Sequence, residues 1–522
     1  MLRVFQNDIM DPDQFVITLE LVPGRESTGR SVDTVMGIAR DAFSDGRISA
    51  VSVTDNPGGN PSLSPDAIGY RIFSLGMDVI VHFTCRDMNR VGMESRALQL
   101  AMMGMKNILA LTGDYAGTGF GGQGAPVFDL DSVTLQILLS LISQRMDAAG
   151  DPDGFFTGCA VSPFKQSEGE CFAQYAKMSR KVAAGARFVI TQLGYDGRKF
   201  SELIGIQRHM GLGVPTLGSV YLLTPKAARV MHSGRVPGAV VPSQLLQTVE
   251  REWKNSRQGK TAAIERAARL GAVLRGLGYR GIHIGGIHRD FSIVGRILDR
   301  MEAIGDNWQG FLPGFDSPQP NGFYAFREKP PAKVTAPLFG KHRLPLDGLD
   351  RMIFSLMQRS HNLFFNFDAP MASFFRTVCE HLDSGIWGRL FMHLAEHPVK
   401  RLLLGCRQCG DCAIQHVGFL CPESGCPKHM RNGACGGSRQ GMCEVNPDRP
   451  CVWFRAHNRW ASQGKVSELC AGCVPPRMWE LDRTASWLNF HLRRDHHSVG
   501  NDISRVCRET TCRLIDGKDG DG

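Results

Sequence analysis

Asn107-Ile-Leu-Ala-Leu-Thr-Gly-Asp114 is a short apolar run that stops abruptly at a turn signal and a carboxylate. A continuous apolar run of this length reads as a strand buried on both faces, as in a parallel sheet. Asp114 then falls at the strand's C-terminal end, where an α/β barrel keeps its chemistry. Three more runs close in the same style, Val51-Ser-Val-Thr54, Val81-His-Phe-Thr84 and Val189-Ile-Thr-Gln192. Polar residues at several strand ends point to one shared mouth.

Outward from this run, residues 1–305 alternate strand and helix patterns. Strand-like runs are Phe15–Leu21, Ala50–Thr54, Asp78–Thr84, Asn107–Thr112, Phe156–Ser162, Phe188–Gln192, Val214–Val220 and Gly281–Ile287. Helical patterns fall between them at Val32–Phe43, Ser95–Met103, Val133–Met146, Cys171–Ala184, Ser201–Met210 and Thr261–Leu277. Gly104, Gly185 and Gly211 follow helices where a C′ glycine belongs. Eight strands with intervening helices predict an α/β fold, a (β/α)8 TIM barrel. An open doubly wound sheet is disfavoured, since no early strand leads directly into a Gly-rich turn and helix. Gly119-Phe-Gly-Gly-Gln-Gly124 matches G-x-G-x-x-G literally, but a proline and several residues separate it from the helix pattern near Asp131. It reads as an active-site loop and not as a dinucleotide fingerprint.

A chain of 522 residues exceeds one ordinary domain. Its formal charge of +9 leaves room for an anionic ligand. Without a long Lys/Arg block it argues against nucleic acid. The N-terminus has no signal-peptide core and no stretch is long enough to span a membrane, so a cytoplasmic protein is expected. Of 16 cysteines, four precede residue 400, ten lie from Cys406 to Cys473, and the last two are Cys507 and Cys512. Such crowding reads as metal ligation and sets a boundary near residue 400. Three units are expected: a barrel over 1–305, a Pro/Gly-rich connector with a helical segment over 306–400, and a cysteine-rich metal-binding module over 401–522. Met352, Ile353, Leu356 and Met357 sit near helical spacing and suggest a packing layer.

Taken singly, the mouth residues are ambiguous. Glu20 at a strand end suits a structural carboxylate or an acid, and His82 suits a satisfied core histidine. Asp114 beside Gly113 invites a close ligand, and the Gln192 amide suits a heterocycle edge. Together they carry a family resemblance. Ile17-Thr-Leu-Glu20, Val51-Ser-Val-Thr54, His82-Phe-Thr-Cys85, Leu109-Ala-Leu-Thr-Gly-Asp114, Ala184-Gly-Ala-Arg-Phe-Val-Ile-Thr-Gln192 and Gly286-Ile-His-Arg289 resemble methylenetetrahydrofolate reductase in order and spacing, over about residues 12–305. The resemblance implies a flavoprotein, FAD or alternatively FMN, that interconverts 5,10-methylenetetrahydrofolate and 5-methyltetrahydrofolate in one-carbon metabolism. It implies Glu20 as general acid at N10 and Asp114 near flavin and pterin, favouring the cationic intermediate. It implies Thr54, His82, Thr112, Gly113, Lys165, Arg180 and Lys181 as flavin contacts, Gln192 as a folate or nicotinamide contact, and Arg289 near the folate's glutamate tail. The family often has Arg where Thr112 stands, so one flavin contact is missing or supplied elsewhere.

The tail carries Cys406-Arg-Gln-Cys409-Gly-Asp-Cys412, Cys421-Pro, Cys426-Pro-Lys-His429, Asn432-Gly-Ala-Cys435-Gly-Gly, Cys443-Glu and Cys451-Val-Trp. A C-x2-C-x2-C step resembles iron–sulfur ligation more than paired zinc knuckles, although zinc stays open. The eight cysteines Cys406, Cys409, Cys412, Cys421, Cys426, Cys435, Cys443 and Cys451 suffice for two four-thiolate sites, with Cys470 and Cys473 in reserve. Over roughly 345–460 the tail resembles the C-terminal module of methylenetetrahydrofolate reductases from anaerobic one-carbon pathways. Clusters would imply electrons from a protein partner; NAD(P)H is the other donor, and a homo-oligomer is expected. The competing readings are a pterin-dependent methyltransferase or demethylase component, and a zinc nucleic-acid module on a barrel.

Overall fold

The computed structural model describes residues 4–327, 337–341, 343–383 and 386–498, together with residues 503, 506, 507, 510, 512 and 514. Strands β1 (Val16–Leu21), β2 (Ala50–Val53), β3 (Val79–Thr84) and β4 (Asn107–Leu111) come first. A small antiparallel pair, β5 (Thr118–Gly119) and β6 (Gly122–Gln123), follows. Then come β7 (Phe156–Val161), β8 (Phe188–Thr191), β9 (Thr216–Tyr221) and β10 (Gly281–Gly285). The eight long strands form a closed parallel barrel in the order β1-β10-β9-β8-β7-β4-β3-β2. All eight strands expected from the sequence are present, displaced by one or two residues at their ends. The barrel closes where β1 meets β10, in register from Val16 opposite Gly281 to Leu19 opposite Ile284. At Gly281 a Cβ would stand 2.0 Å from the Val16 carbonyl oxygen, so the seam admits glycine alone.

Several helices between strands start where side chains can satisfy their first N–H groups. Asp131 caps Ser132–Ala148 in a capping box with Thr134, Ser167 caps Glu168–Ala183, and Asp196 caps Gly197–His209. The G-x-G-x-x-G stretch forms the β5–β6 hairpin, not a helix start, and Phe120 at its tip is fully exposed. The short helix Val4–Met10, not foreseen from the sequence, plugs the barrel floor. Its Phe5 ring stands edge-on to Phe188 at 5.2 Å and Phe156 at 6.0 Å.

Past residue 305 the chain wraps the barrel. Phe323 N–H donates to the Gln166 carbonyl (2.7 Å), Ala325 N–H to Glu202 Oε2 (2.6 Å) and Gly340 N–H to Glu168 Oε1 (2.7 Å). The helix Gly348–Phe364 corrects one expectation. Met352 and Leu356 are 61% and 54% exposed, whereas Phe354 is the buried anchor, edge-on to Trp460 at 5.2 Å. Its apolar residues cover more than one face, so spacing alone did not pick the buried one. One continuous apolar core runs from the barrel helices to Val417, Phe419, Trp453 and Trp460 of the tail. No helix among the described residues is long and apolar enough to cross a membrane.

Candidate active site at the barrel mouth

The C-terminal ends of the barrel strands surround a cavity of about 290 Å³. Glu20, Thr54, His82, Thr112, Gly113, Asp114, Lys181 and Gln192 line it together. Lys165 and Arg180 do not, which corrects their expected placement as flavin contacts, and Arg289, expected near a folate's glutamate tail, also lies outside it. Lys165 Nζ donates to the carbonyl oxygens of Gly436 and Ser438, each at 2.5 Å. Arg180 donates to the carbonyls of Gly472 (2.8 Å) and Leu469. Arg289 is exposed on the loop after β10. Helix geometry explains Arg180. Gln174, Lys177 and Lys181 recur at i, i+3 and i+7 on the face that lines the cavity, and Arg180 is turned roughly 100° from Lys181.

Glu20, one residue before the end of β1, sits in a pocket where Gly285 leaves its carboxylate room; a Cβ there would stand 2.9 Å from Oε2. Burial raises its pKa to about 7, so the carboxyl holds a proton near neutrality. His82 is pushed down to about 4 by burial and His283 to about 3, so both rings are neutral. His283, missed in the sequence, is held through Nδ1 by Thr18 Oγ1 at 2.8 Å. Lys181, lowered to about 8 chiefly by burial, donates to the Ala160 carbonyl at 2.6 Å. Gln192 is fixed by donating to the Pro237 carbonyl (2.9 Å) and accepting from Leu193 N–H (2.8 Å).

Asp114 Oδ2 accepts the Gly58 N–H at 2.9 Å. Gly113, at φ +87°, leaves no room for a side chain beside Thr84 Cβ. Thr112 Oγ1 donates to Ser132 Oγ at 3.1 Å. The cation absent at position 112 has a counterpart in Arg86, which follows β3, is almost fully buried and lines the same cavity. It pairs with Asp87 at 2.6 Å. Thr54 Oγ1, His82 Nε2 and Gln174 Nε2 are buried with no protein hydrogen-bond partner. Unpaired polar atoms around a cavity fit a heterocyclic ligand with polar edges, such as a flavin.

The roof comes from the tail: Lys428, Ala434, Cys435, Gly436, Gly437 and Glu444 line the same cavity. Lys428 and Glu444 form a buried ion pair. Both stood in the Cys-Pro-Lys and Cys-Glu motifs, but nothing in the sequence aimed them at the barrel. The eight tail cysteines divide into two sets, each around its own small cavity. Cys406, Cys409, Cys412 and Cys421 line one, and Cys426, Cys435, Cys443 and Cys451 the other. No three of these eight sulfurs lie within 4.8 Å of one another. Burial pushes the Cys409 and Cys451 thiols up to about 12, so bare thiolates are disfavoured and a bound metal would stabilise them. Lys400 Nζ lies 3.3 Å from Cys412 Sγ. Cys470 and Cys473 are not a ligand reserve for these sets: Cys473 is disulfide-bonded to Cys507, and Cys470 Sγ lies 2.7 Å from Cys512 Sγ.

A closed (β/α)8 barrel with its polar cavity at the strand C-termini defines the protein's class. Within it, the chain belongs to the methylenetetrahydrofolate reductase family, whose description "Methylenetetrahydrofolate reductase" matches residues 6–302. A second family, "Methylene-tetrahydrofolate reductase C terminal", matches residues 389–480. The chain is 27% identical over 146 residues to "Probable methylenetetrahydrofolate reductase (NADPH)" of Caenorhabditis elegans, covering 28% of this chain and 20% of the relative. It is 29% identical over 191 residues to "Methylenetetrahydrofolate reductase 2" of Saccharomyces cerevisiae, covering 34% and 29%. It is 21% identical over 310 residues to "Methylenetetrahydrofolate reductase 1" of Schizosaccharomyces pombe, covering 57% and 48%. The chain thus spans less than half the length of each of these relatives. A solved structure from Clostridium thermocellum, described as binding two copies of 5-methyl-5,6,7,8-tetrahydrofolic acid, aligns at a TM-score of 0.40 and 11% identity, over 58% of this chain and 98% of that one.

Proposed function

We propose that the barrel is a flavin-dependent methylenetetrahydrofolate reductase whose reducing equivalents arrive through the cysteine-rich tail. The observation that carries this reading is Cys435, which lines both the barrel-mouth cavity and the cavity of the second cysteine set. A redox centre held there would adjoin the flavin site. Thr54, His82, Lys181 and Arg86 would hold the flavin, FAD by the family resemblance with FMN the alternative, and the flavin supplies the hydride chemistry when bound. Glu20, protonated near neutrality, would donate the proton that opens the imidazolidine ring, and Asp114 would favour a cationic substrate form. Gln192, its amide already fixed, would align the pterin edge.

The C-x2-C-x2-C step of Cys406, Cys409 and Cys412 supports [4Fe–4S] clusters over zinc, whose sites usually pair two separated knuckles. The exposed apolar residues Leu349, Met352, Leu356, Trp387, Leu394 and Leu402 support association with a further copy of the chain.

Anaerobic rapid mixing tests the function. Reduced viologen, a one-electron donor, is expected to reduce the flavin, and 5,10-methylenetetrahydrofolate to reoxidise it. Cys435→Ser should slow the viologen step and spare the folate step. A flavin that the folate fails to reoxidise would overturn the activity. Equal viologen rates in wild type and Cys435→Ser, or reduction by NADH or NADPH alone, would overturn the route.

A further inference from the structure

Beside the cysteines, the tail assembles a second kind of metal-ligating group that contains no thiol. Asp411, fully buried between Cys409 and Cys412, is its anchor. Asp411 Oδ1 lies 2.5 Å from His496 Nδ1 and accepts the His496 N–H at 3.2 Å, while Oδ2 accepts from Arg431 at 2.6 Å. With Nδ1 engaged, Nε2 of His496 is the ring's remaining nitrogen, and it stands 3.3 Å from Nε2 of His416. His497 is anchored in the same way, Nδ1 lying 3.0 Å from Asp495 Oδ1. One nitrogen each from His416, His496 and His497 falls within 4.8 Å of the others.

Two imidazole nitrogens bound to one tetrahedral zinc, each at about 2.0–2.1 Å, stand roughly 3.4 Å apart. The His416–His496 separation matches that value. A ligating histidine characteristically gives its other nitrogen to a carboxylate, which fixes ring and tautomer. Two of the three rings are held so. We infer that His416, His496 and His497 form a mononuclear site for a divalent transition metal of the zinc class, separate from both cysteine sets. The Gln415 amide nitrogen lies 3.1 Å from His416 Nε2 and 2.5 Å from His497 Nε2, and it would swing aside for the ion. Asp495 Oδ2 is buried without a partner, which leaves an oxygen for a further ligand. The ion would tie residues 495–497 to the loop carrying Cys409 and Cys412, and so brace the first cysteine set through Asp411.

The test uses the full chain, purified anaerobically and stripped of loosely held metal, then titrated with Co(II). The expected result is one cobalt per chain with visible d–d bands and no sulfur-to-cobalt charge-transfer band. His496→Ala/His497→Ala should abolish uptake while iron, sulfide and flavin contents hold. Asp495→Asn, which takes the carboxylate charge from the anchor of His497 and from the oxygen left for a further ligand, should weaken binding by about 10–100-fold. Absence of cobalt uptake by wild type, a thiolate charge-transfer band, or unchanged uptake in the double variant would each overturn the site. The wild-type spectrum decides even if the double variant loses iron through misfolding.

Discussion

Lys428 Nζ donates to the carbonyl oxygen of Gly113 at 2.8 Å, joining a residue of the cysteine-rich tail to the turn that ends β4. The same ammonium pairs with Glu444, and both side chains are buried. Lys428→Met would leave the Glu444 carboxylate buried without its counter-ion, a loss of about 3–5 kcal/mol. The tail should then become protease-sensitive while the barrel resists. Lys428→Met/Glu444→Gln should recover part of the lost resistance; if it recovers none, the charge pair is not what holds the roof.

Glu20 sets the expected pH dependence. With its pKa raised to about 7 by burial, the acid form is abundant below neutrality and disappears as pH rises. Reoxidation of reduced flavin by the folate should therefore slow above about pH 7. Glu20→Gln should cost about 10²–10⁴-fold in that half-reaction and leave flavin reduction near normal. A parallel fall in both half-reactions would mean that Glu20 is structural.

Arg86 is assigned the cationic flavin contact that Thr112 cannot make. A charge-assisted hydrogen bond of this type contributes about 1.5–3 kcal/mol, or roughly 10–100-fold in affinity. Arg86→Met should purify with depleted flavin and bind added flavin correspondingly more weakly. Arg86→Lys should recover only part, since a point charge replaces a fork. Full flavin occupancy in Arg86→Met, measured by absorbance, would remove Arg86 from the site.

The two cysteine sets should titrate independently. Cys409→Ser and Cys443→Ser are each expected to remove about half of the iron and sulfide, four iron atoms from a total of about eight. Flavin content should hold in both. Stoichiometric zinc without sulfide after anaerobic purification would replace the clusters by structural zinc.

The barrel was legible because its signals are local. Each buried strand carries its own apolar run and its own stop, and helices such as Ser132–Ala148 carry their own caps. The cavity-lining faces of β1, β3 and β4 followed from those stops, which placed Glu20, His82 and Asp114 together. Two things were hidden. The helix Val4–Met10 is too short to show a periodicity, and its role appears only when Phe5 meets Phe156 and Phe188. The roof depends on contacts between residues hundreds of positions apart, such as Asp131 Oδ2 accepting the Asn432 N–H at 3.1 Å. Arg180 and Lys165 show the same limit. A buried cation predicts a partner, and the family resemblance offered a flavin where the fold supplies carbonyls of the tail.

Those carbonyls have a consequence for how such proteins diverge. Lys165 binds the backbone oxygens of Gly436 and Ser438, Lys177 that of Gly433, and Arg180 those of Leu469 and Gly472. The barrel grips the tail by its main chain, which every residue possesses. Three of those tail positions, Gly433, Gly436 and Gly472, hold positive φ, and a Cβ at Gly433 would stand 3.0 Å from Lys177 Cβ, so the grip constrains the backbone path and the glycines that permit it, not a partner side chain. Pairwise covariation between the two regions would be faint there although they touch, and a tail transplanted from a distant relative should seat on this barrel only where it keeps those glycines and the same path.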